Sequence, residues 1–410
     1  MANEKTLEVA DVARDTTLKE LVEQLKYGNA LKAAEVSESM NTMKSDIKWV
    51  LEMVRKGIAP AIFEIGDQLV TKWTDVTTNK TYDCPMNITK FHTATLQDGE
   101  QVPAMQVQWH YATPYGVQFN NYQAFYYATA ELPAGTYYIE MGTSWGNCVS
   151  GKKYQFTLTK AVPAGGQLAG FREASDQAPS SWKVYAYASK TTADTQETVS
   201  VAEGCSGTKL GVLKFGGDGT LNCLQRVAYG YNRWGQSALR QWYNSDKGVG
   251  EWWTPQNDFD RPPEQLALKA GFLTGVESEL KEILKPTKVV TALNTYDVTA
   301  TSGTTLEETY DKFFPLSLEE MYIEPQLSGE GEYSEYWRRA SQMTSKMKQY
   351  GTYPQIRTYA IESHTVAQTV RLRSALHGYQ YDAWYVNASG YVYDYYAFLA
   401  IHSVPACNLC

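Results

Sequence analysis

Hydrophobic residues recur at three- and four-residue steps in the first part of the chain. This spacing predicts an amphipathic helix that ends at Gly57, after an earlier helical segment that Thr16-Thr17 could cap. The stripe fits either self-association or an intramolecular hairpin packed on the next domain, so residues 1–57 are predicted as a helical assembly or attachment segment. The stripe comprises Met40, Met43, Ile47, Val50 or Leu51, and Val54.

From residue 58 to about residue 200 the pattern changes to short apolar or β-branched runs, such as Ala61–Ile65, Met105–His110 and Tyr137–Met141. Turn signals such as Gln97-Asp98-Gly99 separate them. Regularly spaced short strands of this kind predict a β-sandwich or jelly-roll-like domain over residues 58–200.

A third region extends over residues 201–410. Apolar spacing predicts helices over Leu221–Tyr243 and Pro263–Leu284, with a rigid aromatic segment that contains Trp252 and Trp253 between them. Strands and long loops follow up to residue 368. The fold class expected for the whole chain is therefore α+β.

The segment Ala375–Ser403 differs from the rest of the chain. It contains no Lys, Arg, Glu or Met, and its only formal charges are Asp382 and Asp394 if its histidines are neutral. Dense tyrosine among small residues is typical of binding surfaces, since tyrosine offers large contact area at low entropic cost. The alternative is a half-buried strand with its aromatics on the core face. Tyrosines stand at 379, 381, 385, 391, 393, 395 and 396.

Composition narrows the possible partners. A formal charge of −8 without a basic stripe argues against nucleic acid as the main partner. The start of the chain lacks a signal-peptide pattern, and no apolar run approaches the roughly 18 residues of a membrane span. We expect synthesis in a cytoplasm, with no membrane insertion.

Candidate catalytic and metal motifs are weak. Gly142–Gly146 matches the G-x-S-x-G pattern, but a loop sequence rather than a helix follows it. Asn257, Asp258 and Asp260 are too few for the six to eight oxygen ligands of calcium. The five histidines lack metal-site spacing, Cys407 and Cys410 form an isolated C-x-x-C, and the glutamates of residues 319–335 suggest a solvated surface. We expect no cofactor, no metal and no enzymatic activity.

Three motifs in order carry a family resemblance: W-G-Q-S-A-L-R-Q-W (Trp234–Trp242) followed by E-W-W-T-P-Q-N-D-F-D-R-P-P, R-L-R-S-A (Arg371–Ala375), and V-P-A-C-N-L (Val404–Leu409). Together with the tyrosine-rich end, they resemble the phage-borne variable proteins of diversity-generating retroelements. The resemblance covers residues 201–410, and residues 58–165 look like the β-domain that often precedes them. It implies a C-type-lectin-like fold for residues 201–410, with a variable region at about 370–403.

In that family a reverse transcriptase changes adenines, commonly in AAC or AAT codons, which cannot become Lys, Glu, Gln, Met or Trp. The absence of Lys, Glu and Met from 376–403 fits such a code, and Gln380 and Trp384 must then be fixed scaffold residues, alongside Arg373, Trp252 and Trp253. The expected diversified, ligand-binding residues are Tyr379, Tyr381, Asp382, Tyr385, Tyr391, Tyr393, Asp394, Tyr395, Tyr396, Phe398, Leu399, Ile401 and His402.

One departure from the family pattern concerns the two tryptophans that usually precede L-R-S. Val370 and Arg371 stand there instead. Either these positions are variable too, or the repeat begins earlier in the chain.

The resemblance implies a hypervariable phage receptor-binding protein on the virion surface. Its expected partners are a host surface protein or glycan and other virion proteins, and a homo-oligomer, by family analogy a trimer, would add multivalency. One alternative is a structural decoration or baseplate protein that uses the tyrosines as a subunit interface. Another is a glycan-acting enzyme with a lectin-like accessory module.

Overall fold

The computed structural model is a mixed α+β protein built mostly from sheets, with 16% of its residues in helices, which agrees with the expected α+β class. The structure describes residues 19–20, 22–24, 46–120, 126–128, 130–142, 149–164, 167–168, 181–189, 192–213, 220–221, 224–226, 232–255, 262–293, 306–341, 361, 366–377 and 382–410.

Five short helices have both ends within the described ranges, and residues 19–20 and 22–24 are also helical. The first begins where the Asp46 carboxylate accepts a hydrogen bond from the amide of Trp49 (3.0 Å), and it ends before Gly57, whose φ of 70° few other residues adopt. The predicted apolar stripe is confirmed over this helix, while Met40, Met43 and Thr16-Thr17 lie outside the described residues. The helices are α1 (Ile47–Arg55), α2 (Ala59–Ile62), α3 (Ala238–Tyr243), α4 (Ser278–Ile283) and α5 (Glu335–Ser341), with 3₁₀ turns at Trp234–Gln236 and Phe272–Thr274.

Twenty-three strands are defined within the described ranges. They are β1 (Gln68–Leu69), β2 (Lys72–Asp75), β3 (Lys80–Asp83), β4 (Met86–Thr95), β5 (Gln101–Trp109), β6 (Val117–Gln118), β7 (Tyr126–Ala128), β8 (Gly135–Met141), β9 (Lys153–Leu158), β10 (Gln167–Leu168), β11 (Ser181–Ser189), β12 (Thr192–Glu203), β13 (Thr208–Leu213), β14 (Thr220–Leu221), β15 (Leu224–Arg226), β16 (Thr287–Ala292), β17 (Leu306–Asp311), β18 (Phe314–Pro315), β19 (Val370–Ala375), β20 (Asp382–Val386), β21 (Val392–Tyr396), β22 (Ala400–Ser403) and β23 (Pro405–Leu409).

Two five-stranded sheets carry the main core, in the orders β1-β4-β5-β23-β18 and β21-β20-β19-β22-β6. Their inward side chains pack with α1, α3 and the 3₁₀ turns in one hydrophobic cluster, centred on large buried rings such as Trp73, Trp234, Trp242 and Phe272. Each ring of this size removes a large apolar area from water, which makes the cluster the principal source of stability.

The last strand of the chain joins the first half of the fold to the second. β23 pairs with β5 on one side, where Cys407 lies opposite Val107, and with β18 on the other. The expected boundary at residue 200 therefore separates strands that share a sheet. Most of the remaining strands of residues 58–200 belong to a nine-stranded sheet, β13-β8-β9-β12-β11-β10-β7-β15-β14.

Three secondary-structure predictions are wrong in part. Among the described residues of 221–243, the expected helix is α-helical only in α3, since β15 pairs with β7 and the amide of Leu239 donates to the carbonyl of Phe119. The expected helix over 263–284 shortens to α4 and a 3₁₀ turn, and the run from Ala61 begins inside α2. Short apolar runs fit helix and strand equally well, so distant pairing decides between them.

Candidate ligand-binding surface

The tyrosine-rich end folds into the hairpin β20–β21 at one side of its sheet. The turn is built on Asn387, whose side-chain oxygen accepts hydrogen bonds from the amides of Ser389 and Tyr391, both at 2.9 Å. Gly390 completes the turn at a φ of 85°. Asn followed closely by Gly thus sets the register that places every aromatic residue after it.

The register divides the hairpin into two faces. Tyr385 lies opposite Tyr393, and Val386 lies opposite Val392. Val386 is fully buried and Val392 packs on the core, whereas Tyr391, Tyr393 and Tyr395 are 50%, 51% and 47% exposed. Because side chains alternate along a strand, these three tyrosines lie together on the solvent side.

Six aromatic rings form one continuous cluster, which we call the tyrosine surface. Within it, Tyr396 and Phe398 stack with their ring centres 5.1 Å apart. The other contacts have ring centres 5.1 to 6.5 Å apart, a spacing at which aromatic pairs attract each other. The surface therefore presents ordered rings to solvent. Its members are Tyr385, Tyr391, Tyr393, Tyr395, Tyr396 and Phe398.

Arg371 lies beneath this surface and is 1% exposed. Its Nη1 donates to the carbonyls of Ala383 (2.7 Å) and Tyr395 (3.0 Å), and its Nη2 donates to the carbonyl of Tyr396 (2.8 Å). One guanidinium thus ties β19 to both strands of the hairpin. Burial lowers the pKa of Arg371 to about 10, against the raising effect of Asp382, so the group remains charged at neutral pH.

The two aspartates of the hairpin differ in environment. Asp382 is 9% exposed, while Asp394 is half-buried and alternates with the exposed Tyr393 and Tyr395 along β21, on the other face of the strand. Burial raises the pKa of Tyr385, and the charge of Asp394 raises it further. From residue 374 to the end, the chain contains no Lys or Arg. The tyrosine surface therefore receives no basic side chain from this segment, and Arg371 beneath it is buried.

The last of the expected variable residues lie deeper in the sheet. Leu399, Ile401 and His402 are half-buried, Ile401 pairs with Val117, and the His402 ring nitrogen lies 2.6 Å from the carbonyl oxygen of Thr113. The hairpin residues form the open surface and these three pack near β6. Tyr379, Gln380 and Tyr381 lie outside the described residues.

The expected scaffold residues are largely enclosed. Trp252 and Trp253 are buried, Trp384 packs on the core, and Arg373 is 1% exposed. Arg373 donates to four backbone or hydroxyl oxygens and to the carboxylate of Glu320 at 2.5 Å. It therefore joins β19 to β16, β18 and the segment that contains Glu320 and Glu330.

The acidic stretch of residues 319–335 is not simply a solvated surface, because Glu320 and Glu330 are buried. Burial opposes ionisation of Glu320, but the charges of Arg373 and Lys90 lower its pKa to about 2. Burial raises the pKa of Glu330 to about 7, against the lowering effect of Arg373. Glu320 and Glu330 line a cleft of about 410 Å³ together with Lys90 and Arg373. The interactions among these buried charged groups stabilise the fold.

Sequence reasoning missed two residues that position the hairpin. Arg371, at a position that the family pattern leaves either variable or outside the repeat, is buried and donates to the carbonyls of the hairpin. The side-chain amide of Asn232 donates to the carbonyls of Leu376 (3.1 Å) and Asp382 (2.6 Å). The alternation R-L-R in β19 was the available signal, since two charges on a buried strand require buried partners.

The weak catalytic and metal-binding motifs form no site among the described residues. Ser144 and Asp258 lie outside the described residues, and within those ranges no three His, Cys, Asp or Glu side chains form a group that could hold a metal ion. Cys407 and Cys410 are both buried, and burial raises the pKa of each thiol. No helix in the described ranges combines the length and apolar character that a membrane crossing requires.

Comparison with known proteins gives one match. A family model described as a domain of unknown function, DUF6273, matches residues 221–409. Neither the curated proteins nor the solved structures contain a match. The matched range includes β19 to β23, and so the whole tyrosine surface together with Arg371 and Arg373.

Proposed function

We propose that this chain is a hypervariable ligand-binding protein, diversified by a retroelement, that attaches a phage to its host through the tyrosine surface. The observation that supports the proposal is the cluster of six aromatic rings on a hairpin, three of which are about half exposed on one face. Exposed aromatic patches of this kind mark interaction sites, because isolated proteins rarely leave them uncovered. The C-type-lectin-like fold of residues 201–410 is part of the proposal.

The arrangement suits a surface whose side chains change. Tyr391, Tyr393 and Tyr395 point to solvent, where substitution alters stability little but alters binding strongly. Arg371 holds the same strands through backbone carbonyls, which every amino acid possesses. A framework that binds backbone atoms tolerates side-chain variation above it.

The proposed partners are a host surface protein or glycan, with other virion proteins for attachment. A homo-oligomer, by family analogy a trimer, would multiply a weak affinity at each site. The protein would be made in the bacterial cytoplasm and carried on the virion surface, with a binding role rather than an enzymatic one.

The gene and its flanking DNA provide the direct test. We expect a second, near-identical repeat that differs at adenines in the codons for residues 379–402, with a reverse-transcriptase gene nearby. Codons for Arg371, Gln380 and Trp384 should be unchanged among variants. Absence of both the repeat and the reverse transcriptase would contradict the proposal.

The second candidate is a structural virion protein whose aromatic rings pack against a neighbouring subunit. The exposed aromatic cluster also favours this role, since subunit interfaces are enriched in Tyr and Phe. Purified particles distinguish the two. Cross-linking of Tyr393 to a subunit of the intact particle supports the structural role, whereas antibody access to the tyrosine surface supports host attachment.

A further inference from the structure

The tyrosine surface lies on an edge strand. In the order β21-β20-β19-β22-β6, β21 occupies the end, and of the strands described it pairs only with β20. The β20–β21 register runs without interruption from Asp382 to Val386, unlike the β19–β20 register, which shifts between Arg371 and Ala375. β21 is thus regular enough to serve as a template for another strand.

The hydrogen bonds of the turn show which backbone groups face the open edge. The amide of Asn387 donates to the carbonyl of Tyr391 at 2.9 Å, so this pair faces inward. Inward and outward residues alternate along an antiparallel strand. Tyr393 therefore turns its backbone groups towards β20, and Val392 and Asp394 turn theirs towards the open edge.

The usual protections of an edge are sparse in β21. Proteins blunt exposed edges with Pro, Lys, bulges or charges, because a free row of donors and acceptors recruits other chains. β21 reads V-Y-D-Y-Y, and Asp394 is its only charge. An aromatic edge of this kind is expected to be covered when the protein works.

We propose that β21 receives an extended segment of a partner protein as a sixth strand, and that this segment carries Lys or Arg. Its backbone would pair with Val392 and Asp394, and its side chain opposite Tyr393 would lie against the rings. Asp394 and the absence of Lys and Arg from residue 374 onwards favour a basic segment, which tyrosine faces also attract. The same charge disfavours a second copy of this acidic chain.

This inference rests on the proposed function and specifies the ligand class. It also assigns affinity and specificity to different parts of β21. Backbone hydrogen bonds form with any sequence, so the edge of β21 would supply a constant share of affinity while variable side chains such as Tyr393 supply specificity. A diversified protein would then keep a basal affinity for extended segments through every change of its surface.

Two substitutions at one position test the edge in the full-length protein. Asp394→Ala and Asp394→Pro both remove the carboxylate, but only the proline also removes the outward N–H, at a site where edge strands tolerate proline. The probe is a linear 12-residue peptide selected on the wild-type protein from a random displayed library. We expect Asp394→Pro to bind it at least tenfold more weakly than Asp394→Ala, with Tyr393→Ser as a side-chain control.

A second measurement tests the edge pairing if the proline variant is too unstable for a binding assay. N-methylation of the peptide, one residue at a time, should weaken binding to the wild-type protein at every second residue.

Equal affinities of the two Asp394 variants, or losses without a period of two, would overturn the edge pairing. Binding only on a glycan array, or a dimer that forms through β21, would overturn the peptide partner. If Tyr393→Ser alone loses binding, the proposed function survives without the edge; if no variant loses binding, both fail.

Discussion

Replacement of Arg371 by methionine tests whether one buried guanidinium holds the tyrosine hairpin in place. Methionine matches the aliphatic part of the side chain but removes the donors to Ala383, Tyr395 and Tyr396, which lie 2.7 to 3.0 Å away. Because Arg371 is 1% exposed, water does not readily replace those donors. We expect the substitution to loosen β20 and β21 and to lower stability.

The size of the effect follows from two opposing contributions. Three hydrogen bonds to a charged donor contribute about 1.5–3 kcal/mol each. Burial of the guanidinium costs part of this, since a fall in the Arg371 pKa from 12.5 to about 10 corresponds to roughly 3 kcal/mol. The net loss is then on the order of 3 kcal/mol, or a fall in melting temperature of roughly 3–4 °C for a chain of 410 residues.

Thermal melting measures the global loss, and hydrogen exchange of the peptides covering β20 and β21 locates it. Arg371→Lys should give an intermediate result, because one ammonium group cannot reach all three carbonyls. Arg338→Met is the matched control at a more exposed pair with Glu335 (2.6 Å), where we expect less than about 1 kcal/mol. A melting temperature of Arg371→Met within 1 °C of the wild type, approximately the error of such a measurement, together with unchanged exchange in β21, would refute the reasoning.

Three further outcomes are expected. The raised pKa of Glu330 means that its contribution to stability is full below about pH 4.5 and disappears as pH rises through 7. Because the lowered pKa of buried His92 gives an opposite slope over part of this range, the test is a difference between two proteins: between pH 5 and 8 the wild type should lose about 2–3 kcal/mol of unfolding free energy in urea relative to Glu330→Gln. Tyr395→Ser should lower stability by about 1–2 kcal/mol in the same assay, the value of its contacts with Tyr385 and Tyr396, yet weaken ligand binding at least tenfold; equal binding would remove Tyr395 from the site. Gly116→Ala should destabilise by about 1–3 kcal/mol, because the new Cβ would lie 2.6 Å from the carbonyl of Ala400 and force β6 from β22; an unchanged melting temperature would contradict this close approach.

Local pattern predicted the tyrosine hairpin better than it predicted the body of the fold. The alternation in Tyr391–Tyr395 offered either a half-buried strand or an exposed surface, and the structure is a strand with its odd-numbered tyrosines exposed. The pairing of β23 with β5 joins residues about 300 positions apart, and no local period contains that information. The helix expected from residue 221 was wrong for the same reason, since β15 is selected by its pairing with β7.

Arg371 and Arg373 together explain how a changeable surface can rest on a stable fold. Arg371 reaches the carbonyls of the hairpin, whereas Arg373 reaches those of Val290, Pro315 and Glu330 in the body of the fold. β19 therefore connects the tyrosine surface to the body of the protein through backbone atoms and one buried carboxylate. Since neither arginine contacts an exposed tyrosine side chain through these hydrogen bonds, replacing the tyrosines leaves both sets of bonds intact. Stability and recognition thus depend on different atoms of the same strands, which is the condition that a diversified binding surface requires.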